Sequence, residues 1–200
     1  DAREMEDHPN YYSDDHLWAV LAVTAYIKET GDLGFLDEII TYYEKDSQGQ
    51  PLENGTVSDH LERAVAFTSR DTGVHGLPLL GFADWNDTVN LRKGAESVFV
   101  AHLYGRARLE LVALSLHLGD RSRARQHQEA YEAMRQVVNE CAWDGAWYRR
   151  YFDCDGTPLG SRDNTYGQIY INGQSWAVLS GFGPPDRALH AMDAVNQRLN

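Results

Sequence analysis

A run of nearly all-round apolar residues that stops at Gly-Asp and restarts as a one-faced helix recurs along this chain. From Ser13, SDDHLWAVLAVTAYIKETGD has Leu17, Val20, Leu21 and Ile27 at helical spacing, with Trp18, Ala22, Val23 and Ala25 filling the other faces. Ser13 reads as the N-cap and Gly31 as the stop. LGFLDEIITYYEK is expected to follow as a helix of about three turns. ESVFVAHLYGRARLELVALSLHL then ends at Gly119-Asp120 and is followed by RSRARQHQEAYEAMRQVVNEC. Tyr131, Met134, Val137, Val138 and Cys141 form one stripe of that second helix. QSWAVLSGFG and RALHAMDAVNQRL, joined through Pro184 and Pro185, make a third pair, and Thr56–Thr68 supplies one more helix. Buried first members with amphipathic second members predict stacked αα-hairpins in two concentric layers, an all-α toroid; an open solenoid is the alternative.

Two segments break this pattern. Residues 73–94 make a connection of roughly twenty residues, too long for an ordinary turn and too rich in Leu, Trp and Phe for disorder. AWDGAWYRRYFDCDGTPLG places Asp-Gly turns at 144–145 and 155–156 around an aromatic run and predicts a β-hairpin.

Composition narrows the function. Eighteen Lys and Arg face thirty Asp and Glu, for a formal charge of −12. That disfavours nucleic acid and an anionic membrane as partners. No apolar run is long enough to span a bilayer, no signal-peptide pattern is present, and two cysteines make no disulfide framework, so a reducing, cytoplasmic setting is expected. The start without Met and the finish inside a helical pattern read as an excerpt of one longer catalytic domain, cut at both ends.

No phosphate loop, zinc spacing or GxSxG is present, and no metal or cofactor is expected. DCDG at 153–156 resembles the start of a calcium loop but reads as a turn. Acids, aromatics and amides remain, the groups that build carbohydrate sites. In GFADWNDTVN, Asp84 and Asp87 stand three apart around Trp85 and Asn86. One acid can be structural while the other faces a cavity; a general acid there needs a carboxyl kept protonated, with Trp85 as apolar wall. Turn capping is the competing reading for each acid. Asp14 and Asp15 suit the first turn of a helix and equally a sugar-binding edge. Gln168, Asn172 and Gln174 around Tyr170 can line a pocket or satisfy backbone where a helix begins, and His8, His16 and His75 read as structural.

SDDHLW (13–18), HGLPLLGFADWNDTVN (75–90), GAESVFVAHLYG (94–105), WYRRYFDCDGTPLGS (147–161) and GQIYINGQSWAVLSG (167–181) together resemble glycoside hydrolase family 94. The motifs fall in the order seen in cellobiose phosphorylases and in the phosphorylase-like domain of cyclic β-1,2-glucan synthases. The resemblance implies an (α/α)6 barrel and reversible, inverting phosphorolysis of a β-linked glucosyl disaccharide or oligosaccharide, cellobiose among the candidates, to an α-sugar 1-phosphate. It implies Asp87 as general acid, Trp85 and Asp15 as donor-sugar contacts, inorganic phosphate as co-substrate and a homodimer as a common assembly; of the two readings of Gln174, substrate binding is the one expected. An inverting hydrolase on the same barrel, or a non-catalytic carbohydrate-binding helical domain, are the competing readings.

Overall fold

The computed structural model describes residues 11–89 and 91–199; His8, Asn90 and Asn200 lie outside them. Six helices run through the described chain: α1 (Asp15–Thr30), α2 (Val57–Arg70), α3 (Val98–His117), α4 (Arg121–Cys141), α5 (Ile171–Ser180) and α6 (Pro185–Arg198). Five short strands accompany them: β1 (Ile39–Thr41), β2 (Asn54–Thr56), β3 (Glu96–Ser97), β4 (Tyr151–Phe152) and β5 (Pro158–Leu159).

Helix α3 is the hub. It packs between α1 and α5 on one layer and against α4 and α2 on the other. Its apolar character all round explains this, since thirteen of its twenty residues are buried. Burying each large apolar side chain of this core contributes roughly 1.5–3 kcal/mol. Gly105 lets α3 close on the turn between α5 and α6: a Cβ there would sit 2.2 Å from the Phe182 ring. The helices thus pair as α1–α2, α3–α4 and α5–α6, with α1, α3 and α5 as adjacent members of one layer. This is the two-layer hairpin arrangement of a partial all-α barrel.

The helix ends follow local rules. Gly31 caps α1 in the left-handed region, with φ 71°, its N–H reaching Ile27 O. Thr56 and Asp59 form a reciprocal capping box on α2. Ser97 and Asp120 cap α3 and α4 through their side chains, and Pro185 occupies the first turn of α6.

The segment after α1 differs from expectation. LGFLDEIITYYEK makes only a 3-10 turn, Leu33–Asp37, before turning into β1. β1 pairs antiparallel with β2, Ile39 opposite Thr56 and Thr41 opposite Asn54. The β-branched run Ile39-Ile40-Thr41 favours a strand, and that pairing supplies its ladder. The outer partner of α1 is therefore α2, reached through a hairpin. Ser13 likewise does not cap α1; Asp14 occupies the N-cap position, and the Ser13 hydroxyl donates to Ala83 O instead.

The expected hairpin around residues 142–160 is present and gains a third strand. β3 joins it in the order β3-β4-β5, with Ser97 opposite Tyr151 and Tyr151 opposite Leu159. This small sheet sits at the N-terminal end of α3.

Candidate active site

The long connection of residues 73–94 has little secondary structure of its own and takes its shape from its neighbours. At its start, Glu96 (1 % exposed) accepts from the His75 and Leu77 backbone N–H groups and bonds His75 Nδ1 at 2.5 Å. The His75 ring stacks on Phe152, which makes it a structural residue, as its sequence setting suggests. In the middle, Gly81 adopts φ 65° where a Cβ would lie 2.4 Å from Tyr11 O. That close approach lets Phe82 N–H donate to Tyr11 O at 2.8 Å and Ser13 N–H to Ala83 O at 2.9 Å. The loop is thereby tied to the N-terminal end of α1.

Asp84 is completely buried and both of its oxygens are engaged. Arg150 meets it as a fork, Nη2 donating to Oδ1 and Nη1 to Oδ2, each at 2.7 Å. Ser97 Oγ donates to Oδ2 at 2.7 Å, the Tyr151 hydroxyl to Oδ1 at 3.1 Å, and the Asn86 N–H to Oδ1 at 3.0 Å. Arg150 is itself 1 % exposed, with its guanidinium carbon 3.9 Å from the Tyr151 ring centre and 5.1 Å from that of Phe99. Burial against these groups and the neighbouring carboxylate push the Tyr151 phenol far above its ordinary value. The two acids of DWND therefore divide as the sequence allowed: Asp84 is the structural one.

Asp87 is exposed and lines a cleft of about 590 Å³ together with Tyr11, Asp71, Phe82, Leu91 and Lys93. Trp85, 66 % exposed, does not line that cleft, so the apolar wall expected from it is not formed in this structure. The physical reason is the anchor: Asp84 takes the buried position and turns the next residues outward.

Asp15 is exposed in the first turn of α1, and its neighbour Asp14 is the buried member of the pair. Burial, reinforced by repulsion from Asp84 and Asp15, raises the Asp14 carboxyl to about 6, against the opposing hydrogen bond from Trp18 Nε1 at 2.8 Å. Gln174 takes the structural option. Its Oε1 accepts Tyr148 N–H at 2.8 Å, and its Nε2 donates to Tyr148 O and Tyr170 O. It is wholly buried and locks α5 to the chain leading into β4. His16 lies against Phe67 and Thr68, and burial lowers it to about 4.

Of the sequence-derived site residues, Asp87 alone lines the cleft, while Trp85 and Asp15 are exposed at the same end of the helices. Arg150, Ser97 and Tyr151 are the residues sequence reasoning passed over, and Asp14 was weighed only together with Asp15. The only signal for them was their place inside the motifs RRYF, GAES and SDD.

The DCDG turn closes on itself: Asp153 and Asp155 accept from Cys154 and Thr157 N–H and both pair with Arg92. Among the described residues no group of three or more potential ligands could hold a metal, both cysteines are free, and no helix is long and apolar enough to cross a membrane. A second cavity, about 380 Å³, lies at the other ends of α1 and α3. It is bordered by Lys28 and Glu110, which are ion-paired, and no Trp, Tyr or Phe lines it.

Comparison with known proteins places the chain in a family. Over 96 % of its length the chain is 36 % identical to a solabiose phosphorylase of Paenibacillus borealis, covering 25 % of that protein. It is 34 % identical to an N,N'-diacetylchitobiose phosphorylase of Vibrio furnissii over 94 % of its length, covering 23 % of that protein. It is also 34 % identical to a cyclic beta-(1,2)-glucan synthase of Rhizobium meliloti, of which it covers 7 %. The chain thus spans about a quarter of the phosphorylases it matches. Among solved structures, a family 78 rhamnosidase of Bacillus sp. GL1 superposes with a TM-score of 0.69 at 15 % identity, over 94 % of this chain and 17 % of that one. A rhamnosidase from Klebsiella oxytoca gives 0.63 at 14 %, over 96 % and 31 %. These two likenesses speak to the fold alone. The model of the glycosyl hydrolase 94 superfamily catalytic domain matches residues 1–200, and the chain belongs to that family.

Proposed function

We propose that this chain carries the proton-donating part of an inverting phosphorylase, in which inorganic phosphate displaces the leaving sugar of a β-linked glucosyl disaccharide or oligosaccharide. The observation that carries this reading is the division of labour in DWND. Asp84 is fully engaged in the core, and Asp87 stands free of that network on the wall of a cleft. That relatives of the chain are phosphorylases supports the phosphorolytic part of this reading.

In this reading Asp87 gives its proton to the departing glycosidic oxygen while phosphate attacks the anomeric carbon from the opposite face. Inversion follows, and a β-glucoside yields an α-sugar 1-phosphate. A hydrolase working by inversion needs a second carboxylate to deprotonate water. Phosphate is already an anion and needs only to be held, so one catalytic acid suffices. Trp85 and Asp15, both exposed at the same end of the helices, are the proposed contacts to the donor sugar. Lys93 on the cleft wall is a cation within a chain of net charge −12.

The test is the dependence of turnover on phosphate. With a panel of β-linked glucosyl disaccharides, the full-length protein should release sugar 1-phosphate only when inorganic phosphate is present. Free glucose appearing equally fast without phosphate would establish hydrolysis instead.

A further inference from the structure

We propose that Arg150 is a positioning residue for the proton donor: through Asp84 it sets where the backbone before Asp87 lies. This inference rests on the reading of Asp87 as general acid.

Asp84 links two frames. One of its oxygens accepts both an Arg150 Nη and the Asn86 N–H, so the carboxylate that the guanidinium orients also holds the Trp85–Asn86 peptide, one residue short of Asp87. Arg150 has no freedom to follow the loop. Its N–H donates to Leu159 O at 2.8 Å and its carbonyl accepts from Val98 N–H at 3.2 Å, which ties its backbone to β5 and to the start of α3. Its side chain is enclosed by the Tyr151 and Phe99 rings. Position is therefore transmitted from the sheet and α3, through the guanidinium fork, to the loop.

Stability alone does not require this arrangement. A well-packed apolar pair of the same volume commonly serves a core as well as a buried ion pair does. A planar fork does what an apolar pair cannot: it fixes the plane of a carboxylate. Lysine keeps the charge and loses the plane, so Arg150→Lys separates orientation from charge. Tyr151→Phe removes a single hydroxyl from Asp84 and leaves the ion pair and the ring in place.

The test uses the full-length protein with inorganic phosphate and the β-linked disaccharide that the wild type turns over fastest. In Arg150→Lys, amide exchange of residues 81–89 is expected to speed about tenfold while that of α3 stays unchanged. Turnover, kcat, is expected to fall about 30-fold, with KM for the donor within about threefold of wild type. Tyr151→Phe should give the same pattern at about threefold in kcat. Wild-type loop exchange and kcat in folded Arg150→Lys would overturn the proposal. If Arg150→Lys does not fold, wild-type kcat and exchange in Tyr151→Phe would overturn it. Faster loop exchange in an enzyme that remains active as Asp87→Asn would leave the anchor standing and remove the acid.

Discussion

The loop of residues 73–94 is held at two places by the same pair of groups, a carboxylate and a guanidinium, in opposite surroundings. At its front, Asp84 and Arg150 are 0 % and 1 % exposed and share further donors and rings. At its back, Arg92, 61 % exposed, pairs with Asp153 and Asp155 on the turn between β4 and β5. Coulomb attraction at the front acts in a low-dielectric interior without screening, and every lone pair there is matched. At the back, water and salt compete for each partner, and Arg92 spends side-chain entropy to reach them. Geometry that must be exact belongs at the front, next to the acids; the rear contact only limits how far the loop can drift.

The comparison is easiest to break by removing one side of the front pair. Arg150→Met leaves a buried carboxylate facing fewer donors and should lower stability by about 3–5 kcal/mol in urea unfolding. Adding Asp84→Leu to it should recover most of that loss without restoring turnover. Recovery of both would reduce the pair to a packing element.

A smaller effect is expected at Asp14, which shares its end of α1 with this network. Its folded value, about 6, lies above the ordinary 3.8, so the native state holds a proton that the unfolded chain has released between those pH values. Stability therefore declines as pH rises through that window and stays lower above it. Asp14→Asn lacks this decline. Its advantage over wild type should be near zero at about pH 4 and reach at most about 3 kcal/mol above pH 6. A pH-independent difference would show that Asp14 is not held neutral by its surroundings.

The smallest effect is expected at the rear. Arg92→Ala should leave the unfolding midpoint close to wild type, and its modest effect on kcat should vanish as salt is raised well above physiological strength. An effect as large as that of Arg150→Met would erase the distinction between the two anchors.

The helical grammar was legible because it is local. Apolar periodicity, Gly31 and Gly119 as stops, and Pro185 as a start announce α1, α3, α4 and α6 without reference to the rest of the chain. The aromatic hairpin between Asp-Gly turns was legible for the same reason. Ile39–Thr41 was not, because the same apolar residues suit a helix face until Asn54–Thr56 arrives to pair with them. Arg150 was hidden more deeply. Beside Arg149 it reads as a solvated charge, and only contact with a carboxylate 66 residues earlier makes burying it tolerable. Gln174 was placed in the substrate site when its amide is spent on backbone, a choice settled by where Tyr148 and Tyr170 lie in space. The split between Asp84 and Asp87 could be anticipated as a pair of roles, but their assignment to a core and a cleft required Arg150.

The central claim is that Asp87, released from the core by the anchoring of Asp84, delivers the proton in glycosidic cleavage. Asp87→Asn in the full-length protein tests it most directly, with kcat and disaccharide affinity measured side by side by phosphorolysis assay and calorimetry. The account predicts a loss of at least about a thousandfold in kcat with affinity within about threefold of wild type. Turnover at the wild-type rate in a variant that cannot donate this proton would contradict it.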